Sequence, residues 1–440
     1  MDVAGAWSQH LNPAFVRLLG VFGYGRVWSR AKDVWLWDDK DRRYLDALAG
    51  FGAVATGHNH PQIVGRVRSF FDDDPLNLSH TGPSVHAATL AAELARRYAP
   101  LTVSLLASGG AEAVEAALKL AVAATGRTGL LCFEGAFHGT SIGALALMGA
   151  DRLRAPFAGV LPTATRVPWA ELGPVRDALA TRRYAAVFVE PVQAEGGVRA
   201  APSGWLESLE EMCRNYGTLL VFDEIQSGLG RCPPSLARPD VRLLGKALGA
   251  GLVPVSVALT TPEIQARAYG TMDRFDLHSS TYGGGALGCA IALETLAVLD
   301  TLTPEVARKS ERLRARLSRL DGHPFVRAIR TSGLLIGVEL GAAGGIVGRL
   351  APGLVDQLSK QVFGQWLAVC LLEAGVVAQP AALAWNVLRI EPPLTIADAE
   401  LDALGDAVVE VLDRYRSVPA LLADVTARLG EQAWRGGGFR

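Results

Sequence analysis

The 440 residues carry a net charge of −1, with half of them hydrophobic and a fifth charged. A near-neutral chain gives no electrostatic case for nucleic acid or an anionic membrane as partner, and the length favours one large and one smaller domain. The amino terminus lacks a basic segment followed by an apolar run, so no secretory signal is expected, and five scattered cysteines (Cys132, Cys213, Cys232, Cys289, Cys370) without C-x-x-C spacing read as free thiols in a reducing cytoplasm.

Residues 1–30 hold aromatics and glycines without a clear period and read as an arm that packs on another surface, such as a partner subunit. Asp33–Leu45 alternates and turns at Asp-Asp-Lys-Asp, the pattern of a hairpin. The glycine-rich Phe51–His60 brings two histidines, His58 and His60, without acidic or cysteine companions. That fits a loop better than a metal site, and no metal is expected. Ala87–Tyr98 is an alanine-rich helix. Leu101–Ala107 reads as a strand, Ser108-Gly109-Gly110 as a turn and Ala111–Ala124 as a helix, with Glu115 placed for an i,i+4 pair with Lys119. Such a strand, glycine turn and helix start offers bare N–H groups at the positive end of a helix, which favours phosphate.

Gly129–Phe133 is a further strand, followed by Gly135-Ala136-Phe137-His138-Gly139. Ala185–Glu190 is another, with Gln193–Gly197 as a loop at its tip. The helix Gly204–Tyr216 feeds the strand Leu219–Phe222, which runs straight into Asp223 and Glu224. Strands alternating with helices predict a parallel sheet covered on both faces, with sites gathered at the strand ends. Val253–Thr260 is read as a strand, and Ala286–Leu299 and Ser310–Leu320 as helices. Beyond about residue 325, short strands (Val326–Arg330, Leu334–Leu340) and helices (Leu354–Ala374, Ala397–Tyr415) predict a compact α+β domain. A short helix and a Gly-rich end follow in Pro419–Arg440. The expected organisation is an arm and hairpin, 1–60, belonging to the small domain; a large domain, 61–322; and a carboxy-terminal small domain, 323–440.

The chemistry centres on Lys246, set among leucines, alanines and glycines in Arg242–Gly251. The chain uses 6 lysines against 37 arginines. Arginine stays protonated, whereas a lysine amine can lose its proton and form an imine. A carboxylate at a strand end followed by such a lysine points to a covalent aldehyde cofactor with a charged ring nitrogen, and pyridoxal phosphate fits. An apolar strand ending in Asp-Glu also occurs in ATPases, but their phosphate loop is missing: Asp240 stands where its first glycine belongs, and Ala247 follows Lys246. Arg389 sits between apolar residues on the strand VLRIEPPL. A buried arginine needs an anion, and both a substrate carboxylate and an internal Glu or Asp remain open.

The stretches SGGAEAVEAALKLA, GAFHG, EPVQAEGG, VFDEIQSGLGR, LGKALGAG, HSSTYGGG and LRIEPPLT together resemble the class III (ω-) aminotransferases. These are pyridoxal-phosphate enzymes of the aspartate aminotransferase fold, fold type I, and the resemblance runs from about Asn12 to Tyr415. Within the family the chain is most similar to putrescine and other diamine aminotransferases, then to ornithine and acetylornithine aminotransferases. The resemblance implies an α/β fold, with a large, mainly parallel sheet sandwiched by helices and a smaller α+β domain.

It implies further that Lys246 forms the internal aldimine and then shuttles the proton. Asp223 would pair with the ring nitrogen, Gln226 reach the phenolic oxygen, Phe137 stack on one ring face and Ile225 pack on the other. His138 of the same F-H-G motif is counted with the cofactor. The amides of Gly110 and Ala111 would hold the phosphate, joined by Thr281 from the neighbouring subunit of a homodimer. Arg389 would bind the α-carboxylate of the amino-acid partner and Glu195 would be its gate, with Thr140 and Phe51 on the substrate side.

Three departures from the family stand out. Gly109 replaces a usual Ser or Thr, residues 232–238 form a shortened segment, and Thr140 stands where ornithine, acetylornithine and GABA aminotransferases carry arginine. The reading is a ping-pong transaminase. It joins an amine or aldehyde lacking a distal carboxylate to an amino acid and 2-oxo acid pair, alanine/pyruvate or glutamate/2-oxoglutarate. The alternatives are an ornithine- or acetylornithine-type enzyme, an aminomutase or decarboxylase on the same scaffold, and a non-catalytic cofactor-binding protein.

Overall fold

The computed structural model describes residues 2–21, 25–72, 74–78, 81–341, 364–415 and 424. The first half of the expected helix Leu354–Ala374 and, Asp424 apart, the expected tail helix lie outside the described residues. The chain divides into two compact units, Gly50–Val306 and a second made of Met1–Ala49 with Ala307–Arg440. These boundaries fall earlier in the chain than those expected from the sequence, 60/61 and 322/323.

In the second unit the amino-terminal stretch is more ordered than its composition suggests. Helices run over Val3–His10 and Pro13–Val21, the first capped by Asp2, whose Oδ1 accepts the Gly5 N–H at 2.9 Å. The expected hairpin is a three-stranded meander, β1 (Trp28–Lys32), β2 (Trp35–Asp38) and β3 (Arg43–Asp46), which β15 (Val376–Val377) joins parallel to β3. A separate antiparallel sheet has the order β13 (Val326–Ser332), β14 (Leu335–Leu340), β17 (Ala384–Ile390), β16 (Gln379–Ala381). Helices Gly364–Glu373 and Asp398–Asp413 belong to this unit.

The large unit holds a seven-stranded sheet. Its strands are β4 (Val103–Ala107), β5 (Gly129–Phe133), β6 (Ala164–Val167), β7 (Tyr184–Val189), β10 (Leu219–Asp223), β11 (Val241–Leu244) and β12 (Ser256–Thr260). A two-residue pair, β8 (Val192–Gln193) and β9 (Arg199–Ala200), stands beside it. The order is β4-β12-β11-β10-β7-β5-β6, with β12 antiparallel to both neighbours and the other pairs parallel. Both faces are covered, which is why β7 and β10 read as unbroken apolar runs instead of alternating.

On one face Val221, Val241 and Phe188 pack with Ala113, Ala117 and Leu120 of the helix Gly110–Thr125, whose small alanines let it lie close to the sheet. On the other, Leu220, Phe222 and Val187 pack with Val175, Leu179, Leu206 and Leu209 from helices Leu172–Leu179 and Trp205–Tyr216. β6 and β11 have no counterpart in the sequence reading. Each is four residues long, too short to display a period, and each carries an arginine. The five cysteines are buried thiols outside any disulfide. The helical run Ala286–Leu320 is long and apolar enough to cross a membrane, and half of its apolar window is buried, as in a core helix.

Register decides what gathers at the sheet edge. Phe222 lies opposite Val189, and Asp223 opposite Leu243. Glu190, Asp223 and the turn bearing Lys246 therefore leave the sheet side by side.

Candidate active site

Those three strand ends, together with the start of helix Gly110–Thr125, enclose a cavity of about 220 Å³. It is lined by Glu190, Asp223 and Lys246, by Phe137 and His138, and by Ile225, Gln226 and Ser227, among others. Asp223 is buried at the end of β10. Its Oδ2 lies 2.7 Å from His138 Nδ1, and its Oδ1 accepts the Ile225 N–H at 3.1 Å. A carboxyl with a partner at each oxygen keeps a fixed direction. Lys246 opens a short 3-10 turn just beyond β11, with φ of 43°. That left-handed conformation costs a side chain with a Cβ about 1–2 kcal/mol, a strain that clusters at working sites. Its Nζ donates to Gln226 Oε1.

Glu190 follows β7, and its Oε1 accepts the Phe137 N–H at 2.9 Å. Burial, and next the charge of Asp223, push its carboxyl well above the usual range, while the Phe137 amide and Lys246 pull the other way. Beyond Asp223, Arg242 Nη1 reaches both oxygens of Glu224 at 2.5 Å. A larger cavity of about 320 Å³ shares Val192 and Ser227 with the first. It is lined by this pair, by Arg97 and Asp300, and by Cys232–Ser235 of the shortened segment. It lacks an amine able to form an imine, so the smaller cavity is the reactive one.

The glycine turn forms the other wall. Gly109 caps the helix in extended backbone, which leaves the amides of Gly110 and Ala111 in the first turn, where a helix offers no internal acceptors. A Cβ on Gly110 would lie 3.1 Å from the Ile225 side chain, and one on Gly139, at φ 118°, would lie 2.8 Å from Ala111 Cβ. Only glycine lets the 137–139 stretch and the helix start come this close.

The expected Glu115–Lys119 pair is not the arrangement observed. Glu115 Oε1 accepts Ser141 Oγ at 2.6 Å and the amides of Gly143 and Ala144 at 2.8 and 3.2 Å, while Lys119 Nζ donates to the Leu277 carbonyl. Three donors at one carboxylate outweigh an exposed i,i+4 contact of about 0.3–0.5 kcal/mol.

Of the remaining sequence-derived residues, Glu195 is buried in the turn between β8 and β9, and Thr140 and Thr281 are exposed; none of the three lines the cavity. Phe51 is exposed at φ 60°. Arg389 belongs to the smaller unit, fully buried on β17, with Nε 3.4 Å from Glu391 Oε2, so an internal carboxylate accompanies it. Glu190 has no role in the sequence analysis, although the EPVQAEGG stretch contains it. The available signal was a carboxyl directly after a fully apolar strand.

An amine, a fixed carboxylate and a set of helix-start amides facing one cavity fit the three needs of pyridoxal phosphate: an aldehyde, a ring nitrogen and a phosphate. A family model, Aminotransferase class-III, matches residues 23–412. Aminotransferase PigE of Serratia sp. (strain ATCC 39006) is 31% identical over 456 residues, covering 94% of this chain and 53% of that protein, so the chain spans about half of that relative's length. Acetylornithine aminotransferase of Methanopyrus kandleri is 34% identical, covering 87% of this chain and 92% of that one. The ornithine aminotransferase of Toxoplasma gondii, solved with partial occupancy of pyridoxal phosphate at its active site, superposes with a TM-score of 0.76 at 28% identity, covering 88% of this chain and 89% of that one. The chain belongs to the class III aminotransferases, with the fold type I architecture and pyridoxal 5′-phosphate as its cofactor.

Proposed function

We propose that the enzyme takes its amino group from, or delivers it to, a molecule without a distal carboxylate: a diamine, an alkyl amine or the matching aldehyde. The observation that carries this is the cavity's lining, which includes two carboxyls, Glu190 and Asp223, one lysine and no arginine among the described residues. The position after the F-H-G motif is Thr140, which is neutral. A second carboxylate brought here meets no cationic partner beyond Lys246, and an unpaired charge in an enclosed site costs several kcal/mol.

When bound, pyridoxal phosphate supplies an aldehyde carbon and an electron-accepting ring. In this reading Lys246 Nζ, oriented by Gln226, takes and returns the proton. Asp223, braced by His138 and the Ile225 amide, holds negative charge for the ring nitrogen. Gly110 and Ala111 offer amides to the phosphate, and Phe137 and Ile225 provide apolar walls that exclude water. Arg389 and Glu195 keep the roles that the resemblance implies for the amino-acid half of the cycle, with alanine/pyruvate or glutamate/2-oxoglutarate as the partner pair. We assign the enzyme to the cytoplasm as a homodimer with Thr281 contributed across the interface. The exposed side chains of Met272, Phe275, Leu277 and Tyr282 around Thr281 support a covered surface there.

Similarity to an acetylornithine aminotransferase favours a second reading, an acetylornithine-type enzyme. Half-reaction rates for putrescine, a long alkyl amine, ornithine, N-acetylornithine and GABA separate the two. Donors with a distal carboxylate should be slower by about ten-fold or more, and Thr140→Arg should narrow the gap. GABA or N-acetylornithine as the fastest donor in the unmodified protein defeats the first reading.

A further inference from the structure

Glu190 is a buried carboxyl in the wall of the cofactor cavity with no task in the mechanism above. Its one described contact is the Phe137 amide, 53 residues away in sequence. The following residue, His138, reaches Asp223 at 2.7 Å. Residues 136–139 have no regular secondary structure, so no strand ladder or helix holds them. Ala136 is held by the backbone, donating to the Phe133 carbonyl and accepting the Gly149 amide, whereas Phe137 and His138 are tied through side chains, to the residue after β7 through Glu190 and to the end of β10 through Asp223.

We propose that Glu190 is a positioning residue of the cofactor site: by accepting the Phe137 amide it fixes the stretch from which Phe137 faces the cavity and His138 braces Asp223. The inference rests on Asp223, Phe137 and Lys246 serving the cofactor as set out above. Four titratable groups surround Glu190: Asp223 at the end of β10, Glu195 in the β8–β9 turn, Lys246 after β11, and His138 on the tied stretch. Burial and the two neighbouring carboxylates push the Glu190 carboxyl well above the usual glutamate range, which favours its neutral form. A protonated carboxyl accepts the amide without setting a second negative charge beside Asp223. Glutamine, neutral and of the same shape, can do the same.

The test titrates the apo forms of the parent, Glu190→Gln and Glu190→Ala with pyridoxal phosphate, following the violet absorption band and its pH midpoint. Glu190→Gln should bind within about three-fold of the parent and leave the midpoint in place. Glu190→Ala, which strands a buried amide, should bind about ten-fold more weakly. Parent-like binding by Glu190→Ala overturns the proposal, and so does a Gln variant as weak as the Ala one. A lowered midpoint in Glu190→Gln also overturns it, because that shift means an ionised carboxyl beside Lys246 has been removed. Should Glu190→Ala fail to fold, the glutamine arm decides alone. Lys246→Ala in the same titration separates the two readings: a surviving violet band defeats the site assignment itself, whereas its loss leaves Glu190 to be judged on its own variants.

Discussion

Opposite charges meet in two different ways in this chain. In the large unit, Glu224 and Arg242 pair behind the catalytic strand end, with only 10% and 15% of their side chains exposed. In the smaller unit, the helix Val306–Leu317 and the turn after it present Arg308, Arg312, Arg316 and Arg319 to Asp398, Asp402 and Asp406 of the helix Asp398–Asp413. Those arginine side chains are 39–54% exposed. The surface ladder is redundant: Asp402 serves both Arg312 and Arg316 at 2.7 Å, and water screens every rung. The buried pair has no substitute, since each charge depends on the other to offset its desolvation. The same residue types are thus exchangeable in one place and irreplaceable in the other, and burial makes the difference.

The largest effect is expected at the buried pair. Glu224→Ala leaves Arg242 near Tyr98 without its carboxylate and should destabilise the protein by about 3 kcal/mol or more in urea unfolding. Replacing both partners by Leu and Met should recover most of that loss, because the desolvation cost goes with the charges. A single-variant loss below about 1 kcal/mol would put the pair on the same footing as the surface ladder and end the contrast.

An intermediate effect is expected at Glu190, and it grows with pH. Its folded-state value lies above the ordinary glutamate value of about 4.3, so the unfolded chain releases this proton first, and the folded form loses stability as pH rises through that window. Glu190→Gln removes the group. The variant should therefore gain on the parent as unfolding is followed upward from about pH 4.5. A stability gap that stays flat with pH would show that the carboxyl is not held neutral.

The smallest effect is expected on the ladder, with the opposite pH sense. Arg312 and Arg316 hold the Asp402 carboxyl down to about 2. Its contribution is complete above the ordinary aspartate value of about 3.9 and fades as pH falls toward 2. Asp402→Asn should lower the melting temperature at neutral pH by less than about 3 °C, and less still in high salt. A drop of the size expected at Glu224 would mean that the ladder acts as a buried network.

The sequence by itself determined the class of fold and the chemistry. Side-chain period, helix starts and turns are local properties, so strands such as Gly129–Phe133 and helices such as Trp205–Tyr216 are visible in a dozen residues. A lysine set in an apolar stretch of an arginine-rich chain, after a strand ending in Asp223, is likewise visible in the sequence. Only the tertiary structure decided which side chains meet. Glu115 turns from Lys119, four residues away, to Ser141 and the amides beyond it; Gln226 takes Lys246; His138 finds Asp223 across 85 residues and Glu190 finds the Phe137 amide across 53. At the sheet edge the meeting of His138 with Asp223 depends on the register of β10 against β7 and β11, where a slip of one residue would turn Asp223 to the opposite face. Register is a property of paired strands packed on both faces, and no single stretch of the chain carries it.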